Sequence, residues 1–268
     1  MCLLTFLPAG TTPDEEALRT GADLNPDGHG YALITPDGRL LTGRGMDAPA
    51  LIEEFTTLRH QHPGGPALFH SRFATHGHLD LDNCHPFPVG GDPRTVVAHN
   101  GILPTWVHPK GGDRRCDTRI AAEEYLPTLA ALRSPRALRR LERWMGADNK
   151  MVILTINPHH PRPAYLLNES SGIWQDGIWY SNDTYRPLPD HDRYRRWWQR
   201  SGSSPGVRWW EELTPVCGYC VAVLDNHDTH CPWCGRCPDC TDLPDMCLCH
   251  TPTEATPPRR VTHRGSTS

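Results

Sequence analysis

Short apolar runs broken by Gly/Pro turns dominate the first two-thirds of the chain. Leu3-Leu4-Thr5-Phe6-Leu7 is the first run and predicts a buried strand. Residues 11–19 predict a short helix, opened by Pro13 with Asp14, Glu15 and Glu16 in its first turn. Residues 25–34 read as a turn and a strand, and Pro36-Asp37-Gly38 folds the chain back into a second strand over 39–42. Helical periodicity follows over 49–59, then a strand at Ala67-Leu68-Phe69, and another over 95–99 that Asn100-Gly101 stops. A helix is expected over 116–132, with Ile120, Tyr125, Leu129 and Leu132 as its apolar stripe, and a second, arginine-rich one over 135–145. Residues 151–156, 164–167 and 177–181 predict three more strands. Strands outnumber helices but the two are interspersed, which makes the fold class α+β.

From residue 187 the periodicity dissolves. The expected organisation is a domain over 1–185, a linker with a short helix over 186–213, a Cys-rich module over 214–250 and a disordered tail over 251–268. The 268 residues suffice for one domain and a small module, and a net charge of −4 argues against a general nucleic-acid or polybasic membrane surface. No run approaches the ~18 apolar residues of a membrane span. The first run is too short for a signal peptide and lacks a basic leader, so a cytoplasmic protein is expected.

Candidate chemistry begins at Cys2, at the head of the first strand. Removal of Met1, expected before so small a residue, leaves a thiol and an α-amine on one residue. The amine's pKa of roughly 8 lets it take the thiol proton. The competing reading is a small buried hydrophobe. Loops that follow strands supply the rest: Arg72 can grip a carboxylate, Asn100 and Gly101 can aim two N–H donors at an oxyanion, and Asp117 can pair with an ammonium. Each also has a plainer reading, as surface cation, hairpin turn and helix cap.

Together these residues resemble the class II glutamine amidotransferases. The resemblance runs in order through Cys2 after Met1, Asp27-Gly28-His29-Gly30-Tyr31, His70-Ser71-Arg72-Phe73-Ala74-Thr75-His76-Gly77, Asn83-Cys84-His85-Pro86-Phe87, Val97-Ala98-His99-Asn100-Gly101-Ile102 and Asp117-Thr118. It implies a four-layer αββα N-terminal-nucleophile hydrolase sandwich. It also implies that Cys2 attacks the amide of L-glutamine, with Asn100 and Gly101 as oxyanion hole. Arg72, helped by Thr75 and His85, would bind the α-carboxylate, and Asp117 the α-ammonium. Such glutaminases are usually fused to an acceptor domain, for which this chain has no room. The resemblance therefore implies a subunit delivering ammonia to a separate synthetase. The alternatives are an amidohydrolase acting on another γ-glutamyl or amide compound, and an inactive scaffold.

Eight of the 11 cysteines lie between Cys217 and Cys249. Cys217-x-x-Cys220, ten residues, then Cys231-x-x-Cys234 has the spacing of a zinc ribbon. Cys237, Cys240, Cys247 and Cys249 offer a second zinc site, with His227, His230 and His250 as spare ligands. Cys231, Cys234, Cys237 and Cys240 also invite an iron–sulfur reading, against which stands the last gap, two residues where the ferredoxin-like run has three. One or two structural zinc ions are the expected cofactor. Sparse basic residues, chiefly Arg236, argue weakly against autonomous nucleic-acid binding, which the cationic tail (Arg259, Arg260, His263, Arg264) leaves open.

Overall fold

The structure, a computed structural model, describes residues 2–128, 134–186, 230–231 and 236–237. The chain divides into two units, Met1–Ser204 and Pro205–Ser268. The expected helix over 193–200, the linker over 201–206 and the tail lie outside the described residues, as does most of the Cys-rich module.

Among the described residues, ten strands form two antiparallel sheets. The larger has β3 (Leu40–Gly45), β2 (His29–Ile34), β4 (Ala67–Ser71), β1 (Leu3–Leu7), β10 (Ile178–Tyr180) and β9 (Ile173–Gln175), in that order across it. The smaller orders β5 (Phe87–Val89), β6 (Asp92–Asn100), β7 (Lys150–Thr155) and β8 (Ala164–Leu167). Among the described residues the α-helices are α1 (Glu15–Leu24), α2 (Ala48–Gln61), α3 (Asp117–Ile120) and α4 (Pro135–Met145).

Three cores separate four layers. Leu3 and Leu7 of β1 pack with Leu18 of α1 and Phe55 of α2. Leu4 and Phe6, one residue out of phase, meet Val96 and Val152 of the facing sheet. Val97 and Ile153 pack on Ile120 and on Leu141 of α4. The order is thus α, β, β, α, as the resemblance implied. Because both faces of each sheet are covered, β1 and β4 are buried along their whole length and read as unbroken apolar runs. Each large apolar side chain so buried contributes about 1.5–3 kcal/mol.

Local signals set most element ends, with shifts. The first helix starts at Glu15 rather than at residue 11, because the Asp14 carboxylate caps it by accepting the Ala17 N–H at 3.0 Å. It runs on through Gly21, whose missing side chain admits Leu3 of the sheet. The continuous helix expected over 116–132 is a correction. After α3 the backbone widens into a π turn, Ala121–Tyr125, and tightens to a 3₁₀ turn, Leu126–Thr128, while 129–133 lie outside the described residues. Leu126 N–H bonds the Ala121 carbonyl, one residue further back than in an α-helix, because Gly90 N–H takes the Ala122 carbonyl at 2.9 Å. The three-residue strands β5 and β9 were not expected; they are too short for any periodicity and exist through pairing with β6 and β10.

Candidate active site

The sheet order places four strand ends together. β4 and β10 flank β1 antiparallel, so their C-terminal ends lie beside the N-terminal end of β1 where Cys2 sits. From the facing sheet, β6 delivers its C-terminal Asn100. Cys2, Arg72, Thr75, His85, Gly101 and Asp117 line one small cavity of about 20 Å³. Six of the seven glutaminase-site residues anticipated from sequence therefore converge there. A far larger open concavity, about 730 Å³, runs along α4 among Arg136, Arg139, Arg140 and Arg143, and it holds no nucleophile.

Cys2 Sγ lies 3.3 Å from the Phe73 N–H that points at it and 3.4 Å from the Phe73 carbonyl. Burial pushes the thiol above its ordinary pKa, and Asp117 adds to this; the Phe73 hydrogen bond, the chain's N-terminal charge and Arg72 pull the other way. The net effect leaves the resting thiol protonated at neutral pH, so attack requires a base.

Arg72 is buried, yet it makes no ion pair among the described residues. Its guanidinium donates to the His76 carbonyl at 2.7 Å and the His78 carbonyl at 3.0 Å, which fixes its direction. Its backbone is bracketed by the expected turn: Arg72 N–H bonds Gly28 O and Asp27 N–H bonds Arg72 O. Gly28 has φ +125°, and a Cβ there would run into Cys84 Sγ. Asp117 is also buried and outside any ion pair among the described residues; its carboxylate accepts the Leu103 and Thr118 N–H groups at 2.9 and 2.7 Å. His76, His108 and Asp117 bring ligand-type atoms within 4.8 Å of one another. A buried cation and a buried anion in one cavity are complementary to a zwitterion.

His85 stacks on His70 with ring centroids 4.0 Å apart, and its Nδ1 accepts the His99 N–H at 3.2 Å. Its proton therefore sits on Nε2. Burial, reinforced by the neighbouring His70, His99 and cations, holds it well below the ordinary histidine range. His85 is a neutral donor, and adds no positive charge to Arg72. His70 donates Nε2–H to the His99 carbonyl at 3.0 Å, and burial holds its pKa at about 3.

Gly101 follows β6 with φ +135°, and a Cβ there would overlap Asn149 Oδ1, which accepts from His99 Nε2 at 2.8 Å. Only glycine fits. Asn100 is buried; its Nδ2 is 2.8 Å from Ser181 Oγ, and its Oδ1 has no hydrogen-bond partner among the described residues. Ser181 and Asn182, directly after β10, were not anticipated. Ser181 Oγ accepts Leu4 N–H at 2.9 Å, Ser181 N–H bonds Leu4 O, and Asn182 Nδ2 bonds Cys2 O at 2.8 Å. Two adjacent polar residues at a strand end were the available signal. Their target, 180 residues upstream, was not legible.

In the second unit Cys231 and Cys237 are buried, and Cys231 N–H donates to Arg236 O at 2.8 Å. The other expected ligands, Cys217, Cys220, Cys234, Cys240, Cys247 and Cys249, lie outside the described residues.

Two facing antiparallel sheets between helical layers, with a cysteine at the head of a central strand and lining the cavity, are the arrangement that the resemblance implied. The chain is 40% identical over 80 residues to a glutamine–fructose-6-phosphate aminotransferase [isomerizing] of Leifsonia xyli, and 32% identical over 95 residues to the Gluconobacter oxydans enzyme of that name. Those stretches are 29% and 35% of this chain. They are only 12% and 15% of those relatives. Among solved structures, a glutamine phosphoribosylpyrophosphate amidotransferase from B. subtilis, complexed with ADP and GMP, aligns with TM-score 0.40 and 18% identity over 67% of this chain and 41% of its own. No protein-family model matches. Over these stretches the chain is similar to the glutamine-hydrolysing class II amidotransferases, and six residues of the motifs that carry the resemblance line the cavity around Cys2.

Proposed function

We propose that the protein is a cytoplasmic glutaminase subunit that hydrolyses L-glutamine to glutamate and ammonia and supplies the ammonia to a separate synthetase. The observation that carries this is the single cavity joining Cys2 to a buried cation, Arg72, and a buried anion, Asp117. Arg72 takes the α-carboxylate, with Thr75 and the Nε2–H of His85 beside it, and Asp117 takes the α-ammonium. The side-chain amide is thereby aimed at Cys2. With Met1 removed, the α-amine of Cys2 accepts the thiol proton, and the thiolate adds to the amide carbon. Donors at Asn100 and Gly101 stabilise the resulting oxyanion. The adduct collapses to a thioester as the amine-borne proton moves to the leaving nitrogen, releasing ammonia. Water then cleaves the thioester to glutamate and restores the thiol. No helix of the described residues is long and apolar enough to cross a membrane.

The test is an intact mass combined with a glutaminase assay. Loss of Met1 and Cys2-dependent glutamate release are expected; Met1 retained, or glutamate release unchanged in Cys2→Ala, refutes the mechanism.

The Cys-rich module is proposed to bind one or two structural zinc ions, with Cys231 and Cys237 among the ligands. Two buried thiols in so short a segment support it.

A further inference from the structure

The hydrogen-bond inventory around Ser181 is unbalanced as the amide of Asn100 stands. Ser181 Oγ receives two donors, Leu4 N–H at 2.9 Å and Asn100 Nδ2 at 2.8 Å, while no described acceptor takes its own hydrogen. Asn100 Oδ1, buried, receives nothing among the described residues. A hydroxyl brings one donor and two acceptor sites. Exchanging the amide oxygen and nitrogen of Asn100, which differ little in shape, corrects both faults. Ser181 Oγ then accepts from Leu4 and donates to Oδ1, and Nδ2 becomes the atom without a protein partner. An oxyanion hole needs a donor in that unpartnered position.

We infer that Ser181 is the positioning residue of the oxyanion donor: its hydroxyl donates to Asn100 Oδ1 and turns Nδ2 towards the carbonyl under attack. The inference rests on the proposed glutaminase chemistry and adds to it a residue outside the anticipated site. Ser181 has a second hold on the same reaction. Through Leu4 N–H and Leu4 O it grips β1 two residues after the nucleophile, and Asn182 grips Cys2 O. One dipeptide following β10 thus ties the nucleophile of one sheet to the oxyanion donor of the other. The neutral amide is fixed by the direction of a single O–H, which no other described residue supplies to Oδ1.

The test compares Ser181→Ala and Ser181→Thr with the parent full-length protein. A misdirected donor costs about 10²-fold in rate. In Ser181→Ala, kcat and kcat/KM for glutamine should therefore fall together, with KM within about threefold, as expected when an interaction made only in the transition state is lost. Ser181→Thr, which keeps the hydroxyl, should restore most of the rate. Alkylation of Cys2 by iodoacetamide, followed by peptide mass mapping, needs no oxyanion donor and should proceed at the parent rate in both variants. Hydrolysis by Ser181→Ala within threefold of the parent overturns the inference. So does Cys2 alkylation falling in parallel with kcat, which would make Ser181 a support of the nucleophile strand only. A parent protein that alkylates at Cys2 but releases no glutamate overturns the proposed function, and this inference with it.

Discussion

Gly101→Ala tests the site at its tightest point. The residue has φ +135°, a backbone conformation that costs of order 1–3 kcal/mol for a residue with a side chain. The new methyl also meets Asn149 Oδ1, which is held in place by its own Nδ2 bond to Met145 O at 2.6 Å and accepts from His99 Nε2. Displacing it leaves a buried imidazole N–H without an acceptor, a penalty of about 1–3 kcal/mol. The smaller entropy of the unfolded alanine chain offsets about 0.4–1 kcal/mol. The net loss is about 3 kcal/mol, which for a domain of this size lowers Tm by roughly 6–12 °C. The backbone N–H of Gly101 moves with the displaced loop, so kcat should fall by about 10²–10³-fold. Urea unfolding and a coupled glutamate assay measure the two effects. Asn149→Ala in a double-mutant cycle separates the clash from the φ strain; the pair should show a favourable coupling of about 1 kcal/mol. A Gly101→Ala protein as stable and as active as the parent refutes the reasoning.

Arg72→Gln and Asp117→Asn should each raise KM for glutamine by about 30-fold or more, since truncating one partner of a buried charge pair costs at least about 2 kcal/mol. They should do so selectively. Arg72→Gln loses its preference for glutamine over 4-aminobutanamide, which lacks the α-carboxylate, and Asp117→Asn its preference over 4-carbamoylbutanoate, which lacks the α-ammonium; unchanged preferences in kinetic assays contradict the assignments. Stability should fall in mild acid. Burial holds His70, His85 and His99 below their unfolded value of 6.5, His70 to about 3, so the unfolded chain binds more protons as the pH drops. Stability is full above pH 6.5 and declines towards the folded pKa values, by up to about 1.4 kcal/mol per pH unit for each histidine. A flat urea-midpoint profile between pH 7.5 and 5 rules this out. Metal analysis should give one or two zinc ions per chain, reduced by Cys231→Ser, and fewer than one ion in the parent refutes the zinc site.

The motif residues were legible before the fold because each lies where an apolar run stops: Arg72 just past β4, Asn100 and Gly101 at the end of β6, Asp117 at a helix start. The runs themselves gave the strands away because both sheets are covered on both faces. The length of the third helix was not legible. Its winding changes because Gly90, from the β5–β6 turn, claims the Ala122 carbonyl, and no local pattern reports a donor 32 residues upstream. The neutrality of His85 was hidden for a similar reason. It follows from burial against His70 and from the His99 N–H, both supplied by other segments.

By itself, then, the chain's order of residues determined which side chains could do chemistry, and that a cysteine would stand at the head of a buried strand. Only tertiary structure decided that β10 returns beside β1, bringing Ser181 and Asn182 onto the backbone of the strand that Cys2 heads, and that β6 faces them from the second sheet. Chemical type and local periodicity are properties of neighbours along the chain. The meeting of Leu4 with Ser181 spans 177 residues and that of Ser181 with Asn100 spans 81, distances over which packing alone decides who meets whom.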